Sequence, residues 1–125
     1  MKHQLIISGA TGRMGLSLIS CMKDFKDFEL IYSASSKDTE IPHGSIIIDF
    51  SEPDFSIEVL KKAVERGTPM LIGTTGFNDQ HILKIKDSSN HIPILFASNT
   101  SLGIYSLKEW LKRFCHSYLK VQLFL

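Results

Sequence analysis

Gly9-Ala10-Thr11-Gly12-Arg13-Met14-Gly15 decides how the rest of this chain is read. An apolar run, Leu5-Ile6-Ile7, comes before it. A helical pattern, Met14, Leu18, Cys21/Met22 and Phe25, comes after it. A strand, a glycine-rich turn and a helix in that order form a phosphate cradle. Glycines let the backbone approach a pyrophosphate, and the helix start offers unpaired N–H groups with partial positive charge. The stretch therefore predicts a dinucleotide-binding domain.

Strands and helices alternate outward from this point. Residues 4–8 read as a first strand buried on both faces and residues 13–24 as the first helix. Residues 28–34 read as a second strand. A polar loop with Pro42 and Gly44 leads to the compact strand Ser45-Ile46-Ile47-Ile48-Asp49-Phe50. Pro53 suits the first turn of a helix, where its missing N–H costs nothing. Phe55, Val59, Leu60 and Ala63 then recur at helical spacing, with Glu58 and Lys62 as an i,i+4 pair. Gly67 ends that helix and Pro69 prevents its return.

Residues 69–73 read as a fourth strand opening onto Thr74-Thr75-Gly76, and Asn78 as the cap of a helix carrying Ile82 and Ile85. Residues 92–96 read as a fifth strand, with Pro93 suggesting an outer position. Ile104, Leu107, Leu111, Phe114/Cys115 and Tyr118 form a last helical stripe, and residues 121–125 a strand-like run. This alternation predicts a single α/β domain, a Rossmann-like doubly wound parallel sheet.

The composition is ordinary for a globular domain: 125 residues, 43% apolar and 22% charged, with net charge +1. The charge gives no reason to expect nucleic acid or an anionic membrane as partner. The first apolar run is too short for a signal core or a membrane span, so a cytoplasmic protein is expected. Cys21 and Cys115 fall within helical stripes, which suits buried thiols. The five histidines lack zinc-helix spacing, and no metal is assigned.

In a doubly wound sheet, ligands bind beyond the carboxyl ends of the strands. The loops there are residues 9–15, 35–38, 50–53, 73–76 and 97–103, all rich in small or hydroxyl residues. The end of the second strand reads the adenosine ribose. Ser35, Ser36 and Lys37 stand there, with no carboxylate before Asp38, and this suits a 2′-phosphate and favours NADPH over NADH. A solvated surface role for Lys37 is the competing reading. Thr74, Thr75, Asn99, Thr100 and Ser101 fit the nicotinamide side, with a cap of the last helix as the competing role for Asn99 and Ser101. No catalytic side chain is assigned. Tyr105 and Lys108 are too close for a Tyr-x-x-x-Lys dyad, and no Gly-x-Ser-x-Gly elbow occurs.

Four segments, Gly9 to Gly15, Asp49-Phe50-Ser51 with Pro53, Gly73-Thr74-Thr75-Gly76-Phe77, and Ala97-Ser98-Asn99-Thr100-Ser101-Leu102-Gly103, occur in this order. The set resembles the N-terminal nucleotide-binding domain of bacterial dihydrodipicolinate reductases (4-hydroxy-tetrahydrodipicolinate reductases), over nearly the whole chain. The resemblance implies NADH- or NADPH-dependent reduction in lysine and diaminopimelate biosynthesis. Its cofactor contacts fall on Gly9, Ala10, Thr11, Gly12, Arg13 and Met14, on Gly73, Thr74 and Thr75, and on Ala97, Ser98, Asn99 and Thr100. The family's acidic ribose ligand falls at about Ser35, where this chain departs from the pattern.

The resemblance also implies that residues 120–125 begin the crossover into a substrate domain. That domain would carry the proton-donating histidine, the substrate clamp and the main interface of a homotetramer. The sequence stops just short of the first expected histidine. On this reading the chain is truncated, keeps the cofactor half and has little or no reductase activity. A binding module that senses or sequesters NADP(H) is the alternative, and a non-folding fragment a third reading.

Overall fold

The computed structural model of the chain describes residues 3–9, 12–35, 40–96 and 123–124. Six parallel strands form one sheet: β1 (His3–Ser8), β2 (Phe28–Ala34), β3 (Ile46–Asp49), β4 (Met70–Ile72), β5 (Ile94–Phe96) and β6 (Leu123–Phe124). Their order is β2-β1-β3-β4-β5-β6. The chain runs outward from β1 to β2, then crosses back to place β3 on β1's other side. The strand order thus reverses between β1 and β3, and a crevice opens there at the carboxyl edge.

The strands are apolar on both faces because both faces are covered. Leu5, Ile7, Ile46, Ile48, Leu71 and Leu95 point to one side and pack with Leu18 of α1 (Arg13–Cys21). Ile6, Ile47, Met70, Ile72 and Ile94 point to the other. There they meet Val59, Leu60 and Ala63 of α2 (Pro53–Arg66) and Ile85 of α3 (Asp79–Ser88). The run Ile46-Ile47-Ile48 therefore feeds two cores, each side chain contributing about 1.5–3 kcal/mol by burial. This is the expected doubly wound arrangement.

Local chemistry sets the helix ends. Pro53 opens α2, and Gly67 closes it in the left-handed conformation with φ 66°. Asn78 caps α3 by accepting from the His81 N–H at 2.8 Å. The His81 ring accepts in return from the Asn78 N–H at 3.2 Å. The first helix is shorter than its periodicity predicts, since Met22–Asp24 tighten into a 3₁₀ turn. Glu58 pairs with Lys61, three residues on, at 3.5 Å, and not with Lys62 four residues on as expected. Both groups are exposed, so the pair adds little.

One expectation is corrected. Pro93 suggested an outer position for the fifth strand, yet β5 lies between β4 and β6. Pro93 precedes the first residue of β5. Its carbonyl accepts from Met70 N–H at 3.0 Å, while β6 pairs only with Leu95 and Phe96. The missing N–H therefore falls outside the ladder. The last helical stripe, residues 104–118, lies outside the described residues, as does Cys115. Cys21 is a half-buried free thiol.

Candidate cofactor site

Three loops leave the carboxyl edge of the sheet at one level. Gly9 N–H donates to the Ala34 carbonyl at 3.0 Å, Phe50 N–H to the Ser8 carbonyl at 2.9 Å, and Gly73 N–H to the Asp49 carbonyl at 2.7 Å. Each bond is the last rung between neighbouring strands. Together they hold the turns after β1, β3 and β4 side by side around the crevice.

Gly9 adopts φ +80°, a conformation that side chains disfavour. A Cβ there would also run into the Phe50 carbonyl and come within 2.7 Å of the Ser51 nitrogen. The turn closes where Gly12 N–H donates to the Gly9 carbonyl at 3.1 Å. Gly12 is the N-cap of α1 and provides no side-chain cap. It is exposed, as is Arg13, while Met14 is half-buried and Gly15 buried. The first N–H groups of α1 therefore have no side-chain cap at Gly12, the arrangement that binds a phosphate. Ser35 follows Ala34 directly and so stands beside the Gly9 turn. Ala10, Thr11, Ser36, Lys37, Ala97, Ser98, Asn99 and Thr100 lie outside the described residues.

Across the crevice, Gly73 is buried because the Phe50 ring occupies the space a side chain would need. Thr74 is 2% exposed, and its hydroxyl donates to Asp49 Oδ2 at 2.8 Å. Thr75, by contrast, is exposed. The two threonines that looked equivalent in the sequence thus face opposite ways. Only Thr75 has a side chain open to a ligand, and Thr74 can offer backbone.

Three residues here were not singled out as site residues from the sequence. Phe50 separates the first and third turns. Asp49 is fully buried and receives hydroxyl hydrogen bonds from Ser51, Ser56 and Thr74. The signal for Asp49 was available, since an acid ending a wholly apolar strand needs partners. Ser8, in register with Asp49, has the one buried side-chain oxygen among the described residues without a hydrogen-bond partner.

His81 is committed elsewhere. Its Nδ1 accepts from Asn78 and its Nε2 faces Asp54 Oδ1 at 3.1 Å. No group of three or more His, Cys, Asp or Glu among the described residues is placed to hold a metal. Nor is any helix among them long and apolar enough to cross a membrane.

The sequence profile described as "Dihydrodipicolinate reductase, N-terminus" matches residues 37–100. The 4-hydroxy-tetrahydrodipicolinate reductase of Buchnera aphidicola is 32% identical over 89% of this chain and 50% of that protein. That of Bdellovibrio bacteriovorus is 35% identical over 90% of this chain and 51% of its own length. That of Pelagibacter ubique is 38% identical, over 82% and 46%. This chain spans about half the length of the curated relatives it matches. Among solved structures, a dipicolinate-bound dihydrodipicolinate reductase from Paenisporosarcina sp. TG-14 superposes with a TM-score of 0.65. It is 19% identical over 79% of this chain and 48% of that one.

Proposed function

Because the chain belongs to the dihydrodipicolinate reductase family and matches its N-terminal part, we propose that these residues hold the nicotinamide cofactor for reduction of 4-hydroxy-tetrahydrodipicolinate. That step belongs to lysine and diaminopimelate biosynthesis. One observation carries the cofactor reading: Gly9, at positive φ with no room for a Cβ, leads into the uncapped start of α1, beside the reversal of strand order. The residues present fit a dinucleotide, since a Cβ at Gly9 would fill the turn and Gly12 leaves the helix N–H groups open.

The backbone of residues 9–14 binds the pyrophosphate. Ser35, Ser36 and Lys37 receive the adenosine ribose and its 2′-phosphate, so NADPH is favoured over NADH. Gly73, Thr74 and Thr75, with Ala97, Ser98, Asn99 and Thr100, position the nicotinamide half. When bound, the cofactor would supply the hydride for this reduction. This chain's residues bind and orient it, and Phe50 forms an apolar floor between the turns.

No described side chain at these turns is placed to give a proton. Asp49 is buried among hydroxyls and His81 caps α3. On this reading the 125 residues on their own bind cofactor and have little or no reductase activity. The same geometry supports the second reading, a module that binds NADP(H) without chemistry.

Fluorescence titration of the purified chain with NADPH and NADH tests the proposal. The expected result is saturable binding of both, tighter for NADPH, and loss of that preference in Lys37→Glu. Binding of neither nucleotide overturns the cofactor reading. An unchanged preference in Lys37→Glu removes the 2′-phosphate argument. Turnover of 4-hydroxy-tetrahydrodipicolinate by the chain on its own overturns the assignment of binding without chemistry. Recovered turnover on fusion to the remaining half of a relative separates the reductase reading from the binding module.

A further inference from the structure

Asp49 closes a strand that is otherwise isoleucine, and it is 0% exposed. Among the described residues no Lys, Arg or His forms an ion pair with it. Hydroxyl groups from three separate segments satisfy it. Ser51, in the turn after β3, donates to Oδ1 at 2.6 Å. Ser56, in the first turn of α2, donates to Oδ2. Thr74, just past β4, donates to Oδ2 at 2.8 Å. The hydroxyls also approach one another, Ser56 to Thr74 at 2.9 Å and Ser51 to Ser56 at 3.1 Å.

An ionised carboxylate can only accept, so it imposes a direction on this cluster. Thr74's proton points inward and its side chain faces away from solvent. Asp49 also grips the next strand's turn through its backbone, since its carbonyl accepts from Gly73 N–H at 2.7 Å. Two adjacent residues after β4 are thus held by the two acceptors of one residue. Two fixed points on consecutive residues set the orientation of the peptide between them. The edge of the turn left facing the crevice is the backbone of residues 73–75 and the side chain of Thr75.

We propose that Asp49 is a positioning residue for the cofactor: it fixes the backbone of residues 73–75 for the nicotinamide half and leaves the adenosine half to the Gly9 turn and residues 35–37. This rests on the cofactor reading above. It adds a residue that touches no ligand and acts through Thr74 and Gly73.

Asp49→Asn tests it, because the amide keeps the shape but presents N–H where the hydroxyls already donate. Two probes separate the halves of the site: NADPH, and 2′,5′-ADP, which lacks the nicotinamide. The expected result is NADPH affinity lowered tenfold or more, with 2′,5′-ADP affinity changed less than twofold. Amide hydrogen exchange in the absence of nucleotide should rise tenfold or more at residues 73–76 and stay unchanged in α2. Equal loss for both probes, or faster exchange through β3, β4 and α2 alike, would make Asp49 merely structural and overturn the proposal. Unchanged exchange at residues 73–76 would overturn it too.

Wild-type chain that binds neither probe defeats the cofactor reading, and exchange then still decides whether Asp49 holds this turn. Should Asp49→Asn fail to fold, Thr74→Val removes one of the contacts and keeps the carboxylate. It is expected to show the same split at about threefold to tenfold, with Thr74→Ser recovering most of the affinity. A Thr74→Val variant without that split overturns the proposal.

Discussion

Gly73 lies against the ring of Phe50 so closely that a methyl group at position 73 would overlap the ring edge. The carbonyl of the same phenylalanine blocks a side chain at Gly9. One residue therefore requires glycine on both sides of the crevice.

Gly73→Ala is expected to destabilise the chain by about 1–3 kcal/mol, the usual cost of forcing volume into a packed site. Phe50→Ala removes the obstacle, so the double variant should cost less than the sum of the two singles. The coupling should be about 1 kcal/mol or more. Urea unfolding of the four proteins measures it. Additive effects would show that ring and glycine do not constrain each other.

Gly9 and Gly12 predict opposite balances of folding and binding. Gly9→Ala meets backbone at a positive φ, and should lower stability by about 1–2 kcal/mol or more as well as weakening NADPH. At Gly12 a Cβ would meet nothing nearer among the described residues than the Gly9 carbonyl at 3.5 Å, and φ is −80°. Gly12→Ala should cost only about 0.5–1 kcal/mol, as a poorer N-cap, yet weaken NADPH about tenfold. Calorimetric binding with thermal unfolding separates the two effects.

Ser8→Ala should be neutral or stabilising by up to about 1 kcal/mol. It deletes a buried hydroxyl that has no hydrogen-bond partner among the described residues. A clear loss of stability on chemical denaturation would mean that the hydroxyl is satisfied in solution.

Asn78→Ala should cost about 1 kcal/mol through loss of the α3 cap, with NADPH affinity changed less than twofold. The His81 ring still accepts from the backbone N–H of residue 78 and still faces Asp54, so the helix start is weakened without being released. A large loss of affinity would place the cap in the binding machinery.

The element order was legible because its signals are local. Pro53, Gly67, Pro69 and Asn78 act within a turn of where they stand, and their chemistry marks the ends of α2, the start of β4 and the cap of α3. The apolar runs at residues 5–7, 46–48 and 70–72 are too continuous for a sheet with one wet face. The glycine turn between a strand and a helix located one side of the candidate cofactor site. What misled the sequence reading was Pro93, whose effect depends on which strand lies alongside.

Tertiary structure decided everything that rests on distant residues meeting. The sequence by itself determined that strands and helices alternate and that a glycine-rich turn opens α1, because propensities and caps depend on near neighbours. Only the fold placed β1 between β2 and β3, set Phe50 between Gly9 and Gly73, and turned Thr74 inward to Asp49 while Thr75 stayed exposed. Thr74 and Thr75 are chemically alike and adjacent. What separates them is the alternation of side chains off the end of a strand, combined with a carboxylate 25 residues away that needs a donor.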